Sequence, residues 1–545
     1  MAHLEDLVNR ALRLLAAALS CACSTDAPEL QAGDAARPDI ILISVDTLRA
    51  DHLSAYGHDR ETSPFFDQLA AEGVRYSFAR SASPWTLPAH TTMLTGQLPL
   101  THKVVDDELR LPAEVPVLPE LMQQQGYATG GFVGTLYVSR VFGFDRGFDR
   151  FEDFDIHTEK ANLGGGTTAT DVVDEALKWW ATVPEGQPAF LFLHVYDVHY
   201  EYDPPGDYGT LFDRAPNSDD PAYRNYFHFK KKKYRLTEAQ FDHQRAQYDE
   251  SIRYVNDQFA RLKAAADAAG RPVRFVITSD HGEEFGERGT WGHAHTLYAE
   301  QLHVPLIVSG PGIPAGKVVD APVGTQDIAP TIASWVGAEG KLVADGLVLD
   351  AQKDQDAALR ARPFPAETTR FKTNRLGLYE DGLRLEWDLK SDQVELFDPH
   401  ADPKEATDLA ASRPEDVKRL QGRLEALHGM PWEASAEGHV SAGKGRILAG
   451  GVQSRLAVTP GDRFTVLPFD APVKFRAVGA GEDAMVGPWK ANGGAHPGDT
   501  DPLRYSGTGG GAAQQLSAEE CAALVAMGYM QDCSALGGGD APEAP

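Results

Sequence analysis

Three apolar, β-branched runs in this chain each end in carboxylates or imidazoles. "DIILISVD" ends at Asp46, "PAFLFLHVYDVH" ends in His194, Asp197 and His199, and "PVRFVITSDHGE" ends in Ser279, Asp280 and His281. Runs that are apolar at successive rather than alternate positions are buried on both faces, as parallel strands are. Between them lie helical patterns, "TSPFFDQLAAEGV", "VPVLPELMQQQGY" and "AQYDESIRYVNDQFARLKAAADAAG", the last closed by a glycine stop. Strands alternating with helices predict an α/β sheet covered on both faces. Ligands then belong at the carboxyl ends of the strands, where these acids and histidines fall.

From about Phe364 the texture changes. "LGLYEDGLRLEWDL" alternates apolar residues around Asp381-Gly382, a hairpin turn signal, and "SDQVELFDPHADPKEATDL" adds a strand and a turn. "SRPEDVKRLQGRLEALHG" reads as an amphipathic helix. A small antiparallel sheet with a helix is therefore expected over residues 364–430. Residues 431–515 are Gly-rich and patchily strand-like, with no clear organisation.

Charge narrows the partners. The chain has 51 Lys plus Arg against 79 Asp plus Glu, a formal charge of −28 that repels nucleic acid and anionic lipid heads. The one basic run, Lys230 to Lys233, reads as a solvated loop, with steering of an anionic substrate as the alternative. Near the N-terminus the apolar stretch Leu14 to Leu19 is too short to span a bilayer and has the length of a signal-peptide core. "AALSC" resembles a bacterial lipoprotein processing site, with Cys21 as the lipidated residue and Cys23 as the alternative. This reading makes the protein exported, periplasmic or anchored by lipid at the cell surface. An ordinary amphipathic helix is the competing reading. Cys521 and Cys533 would form one disulfide in an exported protein and remain two thiols otherwise.

The chemistry concentrates in a few segments. Asp46, Asp280 and His281 offer two oxygens and a nitrogen to a divalent cation, which would lower the pKa of the Thr86 hydroxyl in "SPWTLPAHTTMLTG". Imidazole ligation leans toward Zn or Mn rather than Ca, whose shells are mostly oxygen. His199 and His293 are expected either to bind a second metal, with Asp197 as third ligand, or to act as donors to a leaving oxygen. His295 competes with His293 for that role, and His90 is a candidate contact to an ester on Thr86. Glu283 is expected close behind the metal pair. His194 is expected to orient a ligand, and His52, His58 and His102 to be structural. Thr86 itself is expected at the start of a helix running from about Pro88, where backbone amides favour an anion.

The segments "ILISVDTLRADHLSAYGHDRETSPFFDQLAAEGVRYSFARSASPWTLPAHTTMLTGQLP", "FLHVYDVHYEYDPP", "YDESIRYVNDQF" and "TSDHGEEFGERGTWGHAHTLYAEQLHVPLIVSGPG" resemble, in order, the sulfatase family of the alkaline phosphatase superfamily. "VELFDPHADPKEATDLA" resembles the start of that family's C-terminal subdomain, and the likeness spans Asp39 to Leu427. The resemblance implies a three-layer α/β sandwich with a large mixed sheet over residues 39–350, a leader and linker over 1–38, and a helical tail over 516–545. It implies Asp46 and Asp280 as metal aspartates and Thr86 at the nucleophile position. His199 matches the family's "PH" histidine. His293 falls where many members carry a substrate-binding lysine, and where related phosphoethanolamine transferases carry a zinc-binding histidine.

Departures from the pattern inform as much. Most sulfatases carry a Cys or Ser that becomes formylglycine; Thr86 is not a substrate for that conversion. The paired Asp-Asp is Asp46-Thr47, His281 stands where Asn is common, and the Lys-Trp-His segment is missing. These changes favour metal-dependent cleavage of phosphate mono- or diesters over sulfate esters, on a small-molecule, glycan or lipid substrate. A phospho-group transferase or a non-catalytic binding protein of the same fold are the alternatives.

Overall fold

The computed structural model describes residues 37–154, 167–213 and 237–434, with short strand-bearing segments between 437 and 515. The leader with Cys21 and Cys23, Lys230 to Lys233, and the tail with Cys521 and Cys533 lie outside the described residues. No described helix is long and apolar enough to cross a membrane.

Nine strands form the central sheet: β1 (Asp39–Val45), β2 (Gly73–Arg80), β3 (Ala128–Val133), β4 (Arg150–Glu152), β5 (Ala189–Val195), β6 (Val273–Ser279), β7 (His303–Ser309), β8 (Lys317–Val319) and β9 (Val323–Gly324). Their order is β8-β2-β7-β6-β1-β5-β3-β4, with β9 also beside β2. β7 runs antiparallel to both neighbours, so the sheet is mixed, while β1 pairs in parallel with β5 and β6 along its length. Alternate side chains of β1 enter opposite layers. Ile40 and Leu42 join one apolar core, and Ile41, Ile43 and Val45 join the other. The second core is closed by α1 (Pro64–Glu72), α4 (Ala169–Trp180) and α5 (Glu238–Ala269), the first by α2 (Thr86–Thr95), α3 (Leu118–Gln124) and α6 (Ile328–Trp335). The result is the expected three-layer sandwich, and it puts Asp46, Val195 and Ser279 side by side at the carboxyl ends of three adjacent parallel strands.

The small C-terminal sheet is antiparallel, β10 (Phe364–Thr368), β11 (Arg375–Glu380), β12 (Leu383–Asp388) and β13 (Gln393–Phe397) in order. Its hairpin turns at Asp381 and Gly382, whose φ values of 54° and 79° are those a two-residue primed turn needs. α7 (Pro414–His428) covers one face, with Leu420 and Leu424 against Leu385, Trp387 and Leu396. Described segments between Met430 and Tyr505 pair into a five-stranded and a four-stranded sheet, where the composition alone offered no organisation.

The long helix α5 fixes the chain that follows Asp46. Buried Tyr248 accepts from the Arg49 amide and donates to the Thr47 carbonyl, at 2.8 and 2.7 Å. Asn256 Oδ1 accepts the Phe65 and Phe66 amides at the start of α1. Asp249 meets His52 Nδ1 at 2.6 Å, His58 Nε2 at 3.0 Å and Arg60 Nη1 at 2.6 Å. His52, His58 and Asp249 have the spacing of a metal triad, but the Arg60 guanidinium on the same carboxylate makes the cluster an ion-pair staple. Burial pushes the Asp249 carboxyl up, and the hydrogen bonds from His52 and His58 outweigh it, holding the group well below the usual carboxylate range.

A depressed carboxyl stabilises the fold above its unfolded-state pKa and loses that contribution as the pH falls through the folded value. Asp249→Ala strands the Arg60 guanidinium and leaves the His52 and His58 rings without their acceptor, and is expected to cost about 3–5 kcal/mol in urea unfolding at pH 7. The difference between variant and wild type should shrink as the pH is lowered below about 4. A deficit that stays constant down to acid pH would contradict the ion-pair account.

Candidate metal and ester site

The site is built on two fully buried aspartates. Asp46 follows β1, and neither carboxylate oxygen has a hydrogen-bond partner; Asp280 follows β6, and its Oδ2 has none either. Asp280 Oδ1, in contrast, accepts from the His281 amide at 2.9 Å and the Thr47 amide at 3.2 Å. Thr47 has φ 57°, a left-handed conformation that a β-branched residue adopts only under constraint. The constraint is visible: its hydroxyl donates to the Val198 carbonyl at 2.9 Å while its own carbonyl is held by Tyr248. Thr47, standing where a second aspartate is usual, thus serves Asp280 with its backbone.

His281 Nε2 lies 3.3 Å from Asp280 Oδ2 and 3.8 Å from Asp46 Oδ1, and the three residues offer ligand atoms all within 4.8 Å of one another. Orphaned carboxylate oxygens around one imidazole nitrogen, sealed from water, fit a divalent cation. Without one, burial raises the Asp46 carboxyl to about 7, with the His281 charge pulling the other way.

Thr86 is the first residue of α2, two residues earlier than the sequence suggests, and its Oγ1 is 3.4 Å from His281 Nε2. It does not cap the helix; Trp85 occupies that position without a side-chain cap. Every residue of α2 is buried, so its N-terminus is fixed by packing.

The histidines sort themselves by their partners. His90 is a correction: it is fully buried, with Nδ1 on the Thr86 carbonyl and Nε2 on Ser44 Oγ, both at 2.9 Å, and Nδ1 also 3.5 Å from Asp280 Oδ2, so both ring nitrogens are engaged and it braces the first turn of α2. His194 Nε2 sits 3.3 Å from Asp46 Oδ2, as an orienting residue would. His90 and His194 form a further metal-type group with Asp280, one the sequence did not indicate, although the two partners of His90 already engage its ring. His199 and His293 come together with ring centres 4.9 Å apart, and His293 is 4.5 Å from the His281 ring.

His199 Nε2 meets the Tyr196 hydroxyl at 3.1 Å, and His293 Nδ1 meets Glu283 Oε1 at 2.9 Å. Asp197 is a second correction for one of its oxygens: Oδ1 accepts the Ala169 amide at the start of α4 and serves that helix, while Oδ2 is buried without a hydrogen-bond partner. His295 is the third: its Nδ1 faces the His293 carbonyl and its Nε2 faces Glu284 at 3.0 Å, leaving His293 as the residue directed to the site. Ala294, at φ 71°, separates the directions of these two imidazoles.

Burial lowers the pKa of His90 and His199 to about 3 and of His194 to about 4, and pushes His293 well down with help from His281 and His199. These imidazoles are neutral, as ligands and neutral donors must be.

The small subdomain adds a residue the sequence reading missed. Arg370, just beyond β10, lies 4.3 Å over the Trp85 ring, donates to the Tyr137 hydroxyl at 2.8 Å, and contributes to the lowered pKa of His293. No spacing signal marks it, because it reaches the site from a different sheet.

Fold and site together place a candidate metal centre at the carboxyl edge of a mixed sheet in a three-layer α/β sandwich. The sequence pattern of the sulfatase family matches residues 38–338, more than half of the chain, which therefore belongs to the sulfatase family. A sulfatase of Formosa agariphila is 24% identical over 436 residues, covering 68% of this chain and 85% of its own. An arylsulfatase of Clostridium perfringens is 23% identical over 475 residues, covering 75% and 97%. The crystal structure of a phosphonate monoester hydrolase of Agrobacterium radiobacter superposes with a TM-score of 0.56 at 20% identity, covering 72% of this chain and 95% of its own, and shares the fold.

Chelation of divalent metal is expected to lower the thermal unfolding midpoint of the wild type. Added Zn²⁺ or Mn²⁺ should restore it, by about 2.7 kcal/mol at a hundredfold excess over Kd. Asp46→Ala should abolish the response. A midpoint indifferent to chelator and to added metal would count against a cation at this site.

Proposed function

We propose that this sulfatase-family hydrolase is metal dependent and cleaves phosphate mono- or diesters through a covalent ester on Thr86. The observation that carries the reading is the Thr86 hydroxyl, 3.4 Å from His281 Nε2 beside the Asp46, Asp280 and His281 group. A divalent cation held by those three residues, Zn²⁺ or Mn²⁺ by the nitrogen in the set and Ca²⁺ less readily, would lower the pKa of the hydroxyl and neutralise charge on the ester oxygens.

Thr86, its proton released to solvent, forms the bond from Oγ1 to phosphorus as the bond from phosphorus to the alcohol oxygen breaks. The alcohol oxygen leaves toward His199 and His293 and takes one proton from the His293 and Glu283 pair. Water then attacks phosphorus, its proton returns to that pair, and the bond to Thr86 Oγ1 breaks with release of phosphate or its monoester, Oγ1 taking back one proton from solvent. The α2 amides favour the anion throughout.

Thr86 also argues against the sulfate reading. Formylglycine releases sulfate because its carbon carries two oxygens and can collapse to an aldehyde; the Cβ of threonine carries a methyl group and one oxygen. A sulfate ester on Thr86 has no such exit and requires attack at sulfur. Sulfate esters remain the second reading, favoured by the names of the sulfatase and arylsulfatase relatives. Small glycan esters are within the substrate class, since an N-acetylglucosamine-6-O-sulfatase of Bacteroides thetaiotaomicron is among the relatives.

With metal-loaded protein, turnover of p-nitrophenyl phosphate or bis-p-nitrophenyl phosphate is expected to exceed that of p-nitrophenyl sulfate. Thr86→Ala should lose about 10³-fold or more in kcat with metal content unchanged. Faster sulfate turnover would overturn the phosphate preference, and an unimpaired Thr86→Ala would remove the nucleophile. Arg370→Ala should raise KM about tenfold with a smaller effect on kcat, the sign of an anion contact made before the chemistry.

A further inference from the structure

Arg80 ends β2, six residues before Thr86, and only 4% of it is exposed. Among the described residues no carboxylate lies within 4.0 Å of its guanidinium, and its Nη2 is buried without a hydrogen-bond partner. The carboxylates of this junction are already committed. Glu405 binds Arg384 Nε at 2.6 Å and the Ala299 amide at 3.0 Å; Glu386 binds Arg375 at 2.6 Å and Arg384 Nη1 at 3.1 Å. Arg80 instead lies 5.3 Å from the Phe78 ring centre and 5.7 Å from that of Tyr379, which offsets part of its desolvation. Burial lowers the Arg80 pKa to about 10; Glu405, beyond 4.0 Å and already bound to Arg384, offsets only part of that cost, and the neighbouring Arg384 charge adds to it.

The second arginine is Arg384 of β12, 1% exposed, whose Nη2 is likewise without a partner. Arg80 and Arg384 both line a cavity between β2 and the small sheet, together with Ser81, Gln326, Leu302 and Leu378. The cavity has a volume of about 10 Å³, the space of one water or one halide. A tetrahedral oxyanion is too large for it. Water satisfies donors but adds no negative charge between Arg80 and Arg384, which share the single carboxylate Glu405. Leu302 and Leu378 give the cavity apolar walls, which suit a weakly hydrated anion better than a strongly hydrated one.

We propose that this cavity is a binding site for a small monovalent anion, chloride in chemical class, held between the guanidinium groups of Arg80 and Arg384. The anion links the two layers that carry the candidate site. Arg80 leads into the segment that ends at Thr86, and Arg384 is joined through Glu405 to Ala299 of the loop that bears His293. The site is independent of the phosphate or sulfate question and of the metal.

The test is thermal unfolding of the full chain at constant ionic strength, with potassium gluconate replaced stepwise by potassium chloride or potassium sulfate. The wild-type midpoint is expected to rise saturably with chloride, by about 2 °C or more, and not with sulfate at the same ionic strength. Arg80→Met should lose the chloride response while matching the wild type in gluconate. An equal response to chloride and gluconate, a sulfate effect as large as that of chloride, or a retained response in Arg80→Met would overturn the proposal. Should the variant fail to fold, wild-type crystals soaked in bromide decide the matter. Anomalous density between Arg80 and Arg384 is expected, and its absence from an otherwise bromide-labelled crystal would overturn the site.

Discussion

Two carboxylates with no access to water, Asp46 and Asp280, set the terms for everything around them. Each costs free energy to bury as an anion, and side by side their like charges add to that cost. The chain satisfies one oxygen of Asp280 with backbone amides and leaves the other, with Oδ1 of Asp46, near the His281 ring, while Oδ2 of Asp46 lies by His194. Such an arrangement is stable when a cation completes it, and the fold is arranged to hold it ready. Adjacent parallel strands β1 and β6 bring the acids together, and α5 grips the turn after Asp46 through Tyr248 so that Thr47 holds its left-handed conformation.

The second layer of support comes from the small C-terminal sheet. Thr368 donates to the Ala294 carbonyl at 2.9 Å, and Glu405 accepts the Ala299 amide while its own carbonyl accepts from Arg288. These contacts fall on the loop that carries His293. The segment between β6 and β7 carries only a two-residue ladder, Glu284–Phe285 with Trp291–Gly292, and a four-residue helix, Ala299–Leu302, so contacts from outside help to fix the residues between them. The small sheet therefore acts on the site by holding this loop and by presenting Arg370 over Trp85. Substitutions that loosen the subdomain should reach the chemistry through the His293 loop rather than through the acids.

Much of this was legible in the sequence, for physical reasons that also mark where legibility ends. Buried parallel strands announce themselves as unbroken apolar runs, and a strand's carboxyl end is a fixed place, so Asp46, Asp280 and His281 could be assigned to one edge of the sheet from pattern alone. The Asp381-Gly382 turn was readable because few residues tolerate its backbone. Side-chain direction was not readable. His90 sits one turn after Thr86, a spacing that equally suits contact with an ester and a hydrogen bond to the Thr86 carbonyl. Asp197 lies among strand-end acids, but the free amides at the start of α4 compete for it, and that competition depends on where a helix distant in sequence begins. His293 and His295 differ only through the φ of Ala294, which no composition encodes. Arg370 and the Arg80 to Arg384 junction depend on how two sheets meet, and periodicity within either sheet carries no information about that.

The identity of the nucleophile ties these observations to reactivity. A family built around an oxidised cysteine or serine needs the aldehyde because sulfate is expelled from carbon, and the surrounding groups stabilise a leaving sulfate. In the reaction proposed above, threonine shifts the burden to the second half, where an ester on Oγ1 would itself be attacked at phosphorus or sulfur. That attack would require the leaving Oγ1 to be stabilised as it was when it entered, so the same group of Asp46, Asp280 and His281 would serve both halves. An imidazole in place of the usual amide fits this demand, since a nitrogen ligand favours smaller, more polarising cations than an all-oxygen shell does. The replacement of Asp by Thr47 fits it too, removing one negative charge from beside an anion that must form twice. On that proposal the changes at positions 47, 86 and 281 are one change in chemistry, distributed over two strand ends and a helix start that the fold holds in contact.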